Sequence, residues 1–221
     1  MITSTEEDYI KTIFNISQSG KRELVGTNQI AQQMSTTAAS VTDMLRKLSN
    51  KEMVVYEKYK GVKLSPMGTM QAMSLLRKHR LWESFLVEKL GFAWDEVHDI
   101  AEQLEHIQSN ELVNRLDKYL GYPKFDPHGD PIPDTHGTIT IRNQVVLSTM
   151  EAGSNGLVVG VKKHDKDFLN HLNQVGINIG TELELLHKYP YDQSIKLRIN
   201  NQEEALLSSE VCENIYLKKI R

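Results

Sequence analysis

The chain has 221 residues, 39% hydrophobic and 25% charged, which is close to the composition of an average globular protein. Its net charge of −3 argues against a generic polyanion binder, and its single cysteine, Cys212, excludes an intrachain disulfide and fits a reducing cytosol. No apolar run approaches the ~20 residues of a membrane-spanning helix, and the first residues lack signal-peptide features. We therefore expect a cytoplasmic protein with no membrane partner.

Charge is distributed unevenly along the chain. Residues 41–63 contain six bases and three acids, a net charge of +3, whereas residues 83–117 contain nine acids and two bases, a net charge of −7. A basic segment followed by an acidic one indicates two roles, one toward an anion and one toward a cation.

The first elements have the order of a winged helix. A helix is predicted in EEDYIKTIFNISQSG, with Ser4 or Thr5 as its N-cap and Gly20 at its end. Two further helices follow, one with Thr27 as its N-cap and one covering residues 37–50, with only about three residues between them, as in a helix-turn-helix. The next segment, VVYEKYKGVKL, predicts two short strands with a basic tip.

The third helix is the candidate recognition helix. Its first turn is rich in small and hydroxyl-bearing residues, which allow a close approach to base edges and phosphates. The candidate DNA contacts are Thr36, Thr37, Ser40, Asp43, Arg46 and Lys47 on this helix and Lys58, Tyr59 and Lys60 at the wing. The alternative is the solvated surface of a protein-interaction domain.

Beyond the wing the sequence predicts three more helices and then a β-rich region. The helices are residues 66–89 and the segments EVHDIAEQLEHIQS and SNELVNRLDKYLG. A proline-rich segment, YPKFDPHGDPIPDTHG, marks the boundary. One helical piece, DKDFLNHLNQVG, and five short β-rich runs then predict a small barrel. The runs are GTITIRNQVVL, NGLVVGVKK, GTELELLHK, SIKLRIN and ENIYLKKI.

Histidines and carboxylates gather in the acidic region. On one continuous helix, His98, Glu102, Glu105 and His106 would fall within an arc of roughly 100°, where like charges repel unless a cation lies between them. His79 and Glu83 stand four residues apart on the preceding helix, and Asp8 lies near the start of the first helix. A divalent cation is one explanation, and a solvated acidic face is the other.

The order of these motifs resembles the diphtheria-toxin-repressor family of metal-dependent regulators, in particular its three-domain manganese-responsive branch. The resemblance is carried by EDYIKTIF, IAQQMSTTAASVTDMLRKL, YKGVKLSPMG, HRLWESFL, WDEVHDIAEQLEH and DPHGDPIP. It implies a mainly α fold with a β-rich C-terminal domain. The implied domains are a winged helix-turn-helix in 1–65, a helical dimerisation and metal-binding domain with a Pro-rich linker in 66–136, and an SH3-like, FeoA-type barrel in 145–221.

The resemblance also implies two metal sites in each subunit. The primary, activating site is implied to use Asp8, Glu102, Glu105 and His106. The secondary site is implied to use His79, Glu83, His98 and Asp165, with His164 as the alternative to its neighbour Asp165.

Four positions depart from relatives in the family. Asp8 and Glu102 stand where iron-responsive members carry Met and Cys, and an oxygen-rich set with one imidazole suits Mn²⁺, although Fe²⁺, Co²⁺ or Zn²⁺ can bind in vitro. Lys11 stands where two-domain manganese members have a bridging Glu, which argues against a binuclear centre. The segment Asp126-Pro127-His128-Gly129 stands where some three-domain relatives have CPHG. Asp126 and His128 therefore form a candidate additional site, or else a hydrogen-bonded loop.

The expected function is a metal-activated homodimeric repressor that binds double-stranded operator DNA and controls metal-uptake genes, and not an enzyme. One rival is a metallohydrolase that uses the His and carboxylate cluster to activate water. Another is a metal-independent winged-helix protein whose acidic helix is only a solvated face.

Overall fold

The structure is a computed structural model that describes residues 2–19, 24–57 and 60–220. The predicted helix end at Gly20 and the predicted wing contacts Lys58 and Tyr59 lie outside these residues. No helix within the described ranges is both long enough and apolar enough to cross a membrane.

The chain divides into two compact units. The first unit consists of residues 1–79, 104–109 and 133–138, and the second of residues 80–103, 110–132 and 139–221. Each has its own hydrophobic core, and each is described by itself below.

Helix α1, Ser4–Ser19, opens the first unit. Its N-terminus is closed by Thr3, whose hydroxyl accepts from the Glu6 amide at 3.3 Å while the Thr3 amide donates to the Glu6 carboxylate at 2.8 Å. This reciprocal pair satisfies amides that a helix start leaves unpaired. The expected N-cap at Ser4 or Thr5 is therefore wrong by one or two residues. Ile10 and Ile13 are fully buried on the inner face of the helix.

Helices α2, Thr27–Gln33, and α3, Ala38–Asn50, form the helix-turn-helix. Gly26, not Thr27, is the N-cap residue of α2, and Thr37 caps α3 by accepting from the Ser40 amide at 3.2 Å. Fully buried branched side chains at helical spacing hold the two helices together; they are Ile30, Val41, Leu45 and Leu48.

The predicted wing is present as an antiparallel hairpin of β1, Val54–Glu57, and β2, Gly61–Leu64. A third backbone segment joins it, because Val25 and Val62 exchange two hydrogen bonds of 2.8 and 2.9 Å. Gly61 is required here: its φ is +137°, and a Cβ at this position would lie 2.6 Å from the carbonyl oxygen of Val25.

Helix α4, Pro66–Leu90, is the longest element, and Ser65 caps it by accepting from the Gly68 amide at 3.0 Å. Two short helices follow, α5, His98–Leu104, and α6, Asn110–Tyr119. The prediction that α5 continues through His106 is wrong. The chain leaves the helix after Leu104 in a turn closed by the Ile107 amide, so residues 105 and 106 are presented from a turn.

The second unit contains a β-rich domain, which confirms the predicted fold class. One antiparallel sheet has the strand order β3-β8-β4-β5-β6-β7. Its strands are β3 Val145–Val146, β4 Asn155–Val161, β5 Glu182–Lys188, β6 Ile195–Ile199, β7 Glu203–Leu207 and β8 Ile215–Ile220. Helices α7, Lys166–Val175, and α8, Ser209–Cys212, complete it. Among the described residues the sheet is open, with β3 and β7 at its edges, and not a closed barrel.

Two strand predictions differ from this sheet. The run GTITIRNQVVL is a strand only at its end, in β3, and its Ile141 side chain is 89% exposed. Strand β7, EEALL, was missed because its glutamates and alanine have low strand propensity. It forms through pairing with β6, where five residue pairs are in register from Ile195–Leu207 to Ile199–Glu203.

The proline-rich segment is ordered in the second unit by Arg80. The guanidinium donates to the Pro131 carbonyl at 2.6 Å and to the Asp130 carboxylate at 2.9 Å, and lies 3.5 Å from Asp126. Asp126 in turn accepts from the amides of residues 128 and 130. One half-buried cation thus holds this loop to α4.

Replacing Lys51 by Met tests the ion pair at the start of α1. Lys51 donates to both oxygens of the buried Glu6 at 2.7 Å. Burial raises the pKa of Glu6, but the Lys51 and Thr3 hydrogen bonds outweigh it and lower this pKa below its ordinary value. The stabilisation is therefore complete above the ordinary Glu pKa and is lost as pH falls. Chemical unfolding should show a loss of about 1 kcal/mol at neutral pH. An equal loss in strong acid would contradict this account.

Replacing Arg80 by Met should destabilise the protein much more. The change removes the guanidinium that pairs with Asp126, whose side chain is fully buried, and with its neighbour Asp130, a loss of about 3 kcal/mol in the free energy of unfolding. Adding Asp126→Asn should restore part of it. The matched control is Arg115→Met, which breaks an exposed pair with Glu111 and should cost less than about 1 kcal/mol. Equal costs for the two arginines would refute a structural role for Arg80.

Candidate metal centres and nucleic-acid interface

The first cluster lies in the first unit and joins α1 to the turn after α5. Asp8, Glu105 and His106 each place one ligand atom within 4.8 Å of the others. Glu105 is fully buried, while Asp8 and His106 are partly exposed. Two carboxylates and one imidazole form an oxygen-rich donor set that suits a hard or borderline divalent cation.

His106 is oriented by a residue that the sequence analysis missed. Its Nδ1 is 2.7 Å from Glu7 Oε2, and its Nε2 is 3.1 Å from Asp8 Oδ1. Glu7 is fully buried and also accepts from the side-chain amide Nε2 atoms of Gln71 and Gln108, at 3.1 and 3.2 Å. A carboxylate on one ring nitrogen holds the other nitrogen ready as a ligand, as in many metal sites. The only sequence signal was the position of Glu7 beside Asp8.

The two oxygens of the Glu105 carboxylate have different surroundings. Oε2 accepts from Lys11 Nζ at 2.6 Å and lies 2.7 Å from His79 Nδ1. Oε1 is buried and has no hydrogen-bond partner within the described part of the chain. A buried carboxylate oxygen without a partner is costly, so the donor set fits a bound cation at this position.

The remaining residues of the two predicted sets are divided between the units. His79 belongs to the first unit, and Glu102, Glu83 and His98 belong to the second. Within the second unit, His98 lies 3.6 Å from Glu83 Oε1 and 3.6 Å from Glu102 Oε1. The assignments of Glu102 to the primary site and of His79 to the secondary site stay predictions.

A second cluster lies within the second unit. Glu83, Asp126 and His128 place one ligand atom each within 4.8 Å, and all three are buried. His128 Nε2 is 2.8 Å from the Trp94 carbonyl, so this nitrogen carries the proton that it donates, and Nδ1 faces Glu83 Oε2 at 3.5 Å. Among described residues, neither Asp126 Oδ2 nor His128 Nδ1 has a hydrogen-bond partner.

Burial and crowding shift the pKa values of this cluster. Burial, reinforced by the charges of Glu83 and Asp130, raises the pKa of Asp126 to about 7. Burial alone would lower the pKa of His128, but the facing Glu83 and Asp126 carboxylates outweigh it and raise this pKa to about 9. Both shifts show that the cluster favours additional positive charge.

Of the two neighbours His164 and Asp165, only the histidine lies against this cluster in the structure. The His164 ring stacks on His128 with 4.7 Å between centroids, and burial lowers its pKa. The exposed Asp165 carboxylate accepts from the Phe168 amide at 3.1 Å and caps α7. The assignment of Asp165 as a metal ligand therefore stays a prediction. The stacking of His164 on His128 supports His164 as the alternative ligand.

The candidate DNA face is largely exposed. Thr37, Ser40, Asp43, Arg46 and Lys47 are exposed on or beside α3, and Thr36 is half-buried. Arg46 donates to Asp43 at 3.2 Å, so these two candidate DNA contacts are paired with each other on the exposed face of α3. At the wing, the exposed Lys60 lies 3.0 Å from Glu57.

Family models match nearly the whole chain in three segments. A model described as "Iron dependent repressor, N-terminal DNA binding domain" matches residues 1–62. One described as "Iron dependent repressor, metal binding and dimerisation domain" matches residues 65–134, and a FeoA domain model matches residues 145–219.

Individual relatives agree with these models. The chain is 32% identical over 132 residues to a diphtheria toxin repressor of Corynebacterium jeikeium (strain K411), a match that spans 60% of this chain and 54% of that relative. A solved structure titled "Manganese-dependent transcriptional repressor complex with manganese" is 32% identical, with a TM-score of 0.86 and coverage of 97% of this chain and 100% of that one. The structure of the manganese regulator SloR is 35% identical, with a TM-score of 0.74 and coverage of 97% and 98%. The chain belongs to the diphtheria toxin repressor family of iron-dependent repressors.

Proposed function

We propose that this protein is a divalent-metal-activated transcriptional repressor that binds operator DNA as a homodimer. The observation that carries the proposal is the first cluster, in which Asp8 on α1 meets Glu105 and His106 from the turn after α5. The same α1 packs against the helix-turn-helix through Ile10 and Ile13. Occupation of the cluster would thus act directly on a helix of the DNA-binding domain.

The proposed activating centre uses Asp8, Glu105 and His106, with Glu102 as the further predicted ligand. A bound cation would supply positive charge to the carboxylates and accept the lone pair of His106. Glu7 Oε2 faces His106 Nδ1, which leaves Nε2, on the side of Asp8, as the nitrogen available to a metal ion. Glu105 Oε1, which has no hydrogen-bond partner among the described residues, is the open carboxylate position. The metal ion would bind only when α1 is docked against the turn that carries Glu105 and His106, so metal binding would stabilise this docked state. If the docked state also binds DNA more tightly, metal affinity and DNA affinity are linked.

We propose Mn²⁺ as the activating ion. The support is the donor set, in which carboxylate oxygens outnumber the single imidazole and no sulfur takes part. Fe²⁺, Co²⁺ and Zn²⁺ remain competitors in vitro because affinity at such sites rises toward the later metals.

A further metal position is proposed in the second unit. Glu83, Asp126 and His128 are its best supported members, because they are buried together and two of their atoms lack partners among described residues. His98 and Asp165 are the other predicted members within this unit, and His164 is the alternative to Asp165. His79 completes the predicted secondary set.

The remaining parts of the proposal concern organisation and targets. We assign DNA binding to residues 1–65, dimerisation and metal binding to 66–136, and the FeoA-type domain to 145–221. We propose that the protein acts in the cytoplasm and that its targets are metal-uptake genes. The metallohydrolase alternative would require turnover of a substrate, whereas a repressor requires only metal-dependent DNA affinity.

Replacing Glu105 by Gln tests the activating centre. Loss of outer-shell partners typically costs 10–100-fold in metal affinity, so loss of an anionic ligand should cost more than about 100-fold. Titration calorimetry with Mn²⁺ should lose one binding event, and DNA binding should no longer respond to Mn²⁺ or to chelator. The control is Glu111→Gln on the exposed face of α6. Metal-dependent DNA binding that survives in Glu105→Gln would remove this cluster from the mechanism.

Replacing Lys60 by Ala tests the wing. An exposed lysine that contacts phosphate contributes affinity without sequence preference, so the variant should bind all operator variants more weakly. The magnitude of the slope of log affinity against log salt concentration should decrease by the contribution of about one phosphate contact in each subunit. Lys118→Ala, an exposed lysine on α6, serves as the control. An unchanged salt slope would exclude Lys60 from the DNA interface.

A further inference from the structure

The first cluster contains a cation supplied by the protein itself. Lys11 extends from α1, one helical turn after Asp8 and Glu7, and its side chain is only 10% exposed. Its ammonium lies 2.6 Å from Glu105 Oε2 and 3.3 Å from His79 Nδ1. This lysine is therefore part of the cluster and not of the solvated surface.

Lys11 cannot be a metal ligand in this state. A protonated ammonium offers three donors and no acceptor. Its hydrogen bond occupies Oε2 of Glu105 and leaves Oε1 as the oxygen without a hydrogen-bond partner in the described ranges. The carboxylate is thus shared, with one oxygen bound to the internal cation and the other open to an external one.

We propose that Lys11 sets the metal affinity of the activating centre by acting as the resident counter-charge of Glu105. This inference rests on the proposed function and names a further residue that regulates the same site. In the metal-free protein Lys11 neutralises a fully buried carboxylate and holds α1 to the turn at residues 105–106. When the cluster is occupied, the same ammonium is a positive charge bound to one of the ligands.

Two effects of Lys11 act in the same direction on affinity. Like charges near one another repel, and the repulsion is strong where burial keeps water away. In addition, Lys11 already offsets the negative charge of the Glu105 carboxylate, so this carboxylate attracts an added cation less strongly. Both lower the affinity for a divalent cation, and we expect the wild-type chain to respond to higher metal concentrations than a chain without this charge.

The experiment compares Lys11→Met, which removes the charge at similar volume, with Lys11→Arg, which keeps it. Mn²⁺ affinity is measured directly against a competing chelator, in the full-length protein and without DNA. Lys11→Met should bind Mn²⁺ about tenfold tighter or more, because a buried neighbouring charge has been removed. Lys11→Arg should stay near the wild-type affinity.

Lys51→Met is the matched control. Lys51 also pairs with a buried glutamate of α1, Glu6, but that residue belongs to neither cluster. This variant should lose stability and keep wild-type Mn²⁺ affinity. A general loosening of α1 would instead change both lysine variants alike.

Thermal unfolding supplies a second readout. Without metal, Lys11→Met should melt at a lower temperature than wild type because Glu105 loses its partner, and added Mn²⁺ should raise its melting temperature by more. Should Lys11→Met be too unstable to purify, Lys11→Gln replaces it with a side chain that can still donate to Glu105.

The outcomes separate this inference from the proposed function. Equal or weaker Mn²⁺ binding by Lys11→Met, with wild-type binding intact, overturns the role of Lys11 and leaves the metal centre standing. If the Glu105→Gln variant gives the same Mn²⁺ titration as the wild-type protein, the proposed activating centre itself is overturned.

Discussion

The structure depends on the constraint that a buried carboxylate needs a positive partner. Glu105 is completely buried, and the partners of its Oε2 reach it from α1 and α4, through Lys11 and His79. These contacts bring the first helix of the DNA-binding domain and the turn after α5 to one point. The other oxygen remains open within the described chain, so the same carboxylate that organises the fold also creates a demand for a cation.

The second unit meets the same constraint with different chemistry. Asp126 and Glu83 are buried close to His128, and Arg80 is the neighbouring permanent cation. Burial and the charges of Glu83 and Asp130 raise the pKa of Asp126 to about 7. Burial lowers the pKa of His128, but the facing carboxylates outweigh it and raise this pKa to about 9, so the cluster favours bound protons where a metal ion is not bound. Protons and metal ions are thus alternative sources of the positive charge that this buried group of side chains requires.

Helix α1 concentrates three roles in the five residues 7–11. Glu7 orients His106, Asp8 faces its Nε2, and Lys11 pairs with Glu105. Because residues three and four apart lie on one helical face, one small rotation of α1 would disturb all three contacts together. A regulator benefits from this arrangement, since the cluster and the helix-turn-helix share a rigid element.

The sequence by itself determined the helix-turn-helix, the wing, the long α4 and the β-rich C-terminal domain, because apolar periodicity, capping residues and turn glycines act locally. It also brought Asp8, Glu105 and His106 together as candidates through motif order. Only the tertiary structure decided that α5 ends at Leu104, which presents Glu105 and His106 from a turn, and that β7 pairs with β6. The same holds for the roles of Glu7 and Lys11, which depend on partners 99 and 94 residues away in the chain, respectively. Local propensity carries no information about such partners, since burial and charge pairing between distant segments are settled only when the core forms.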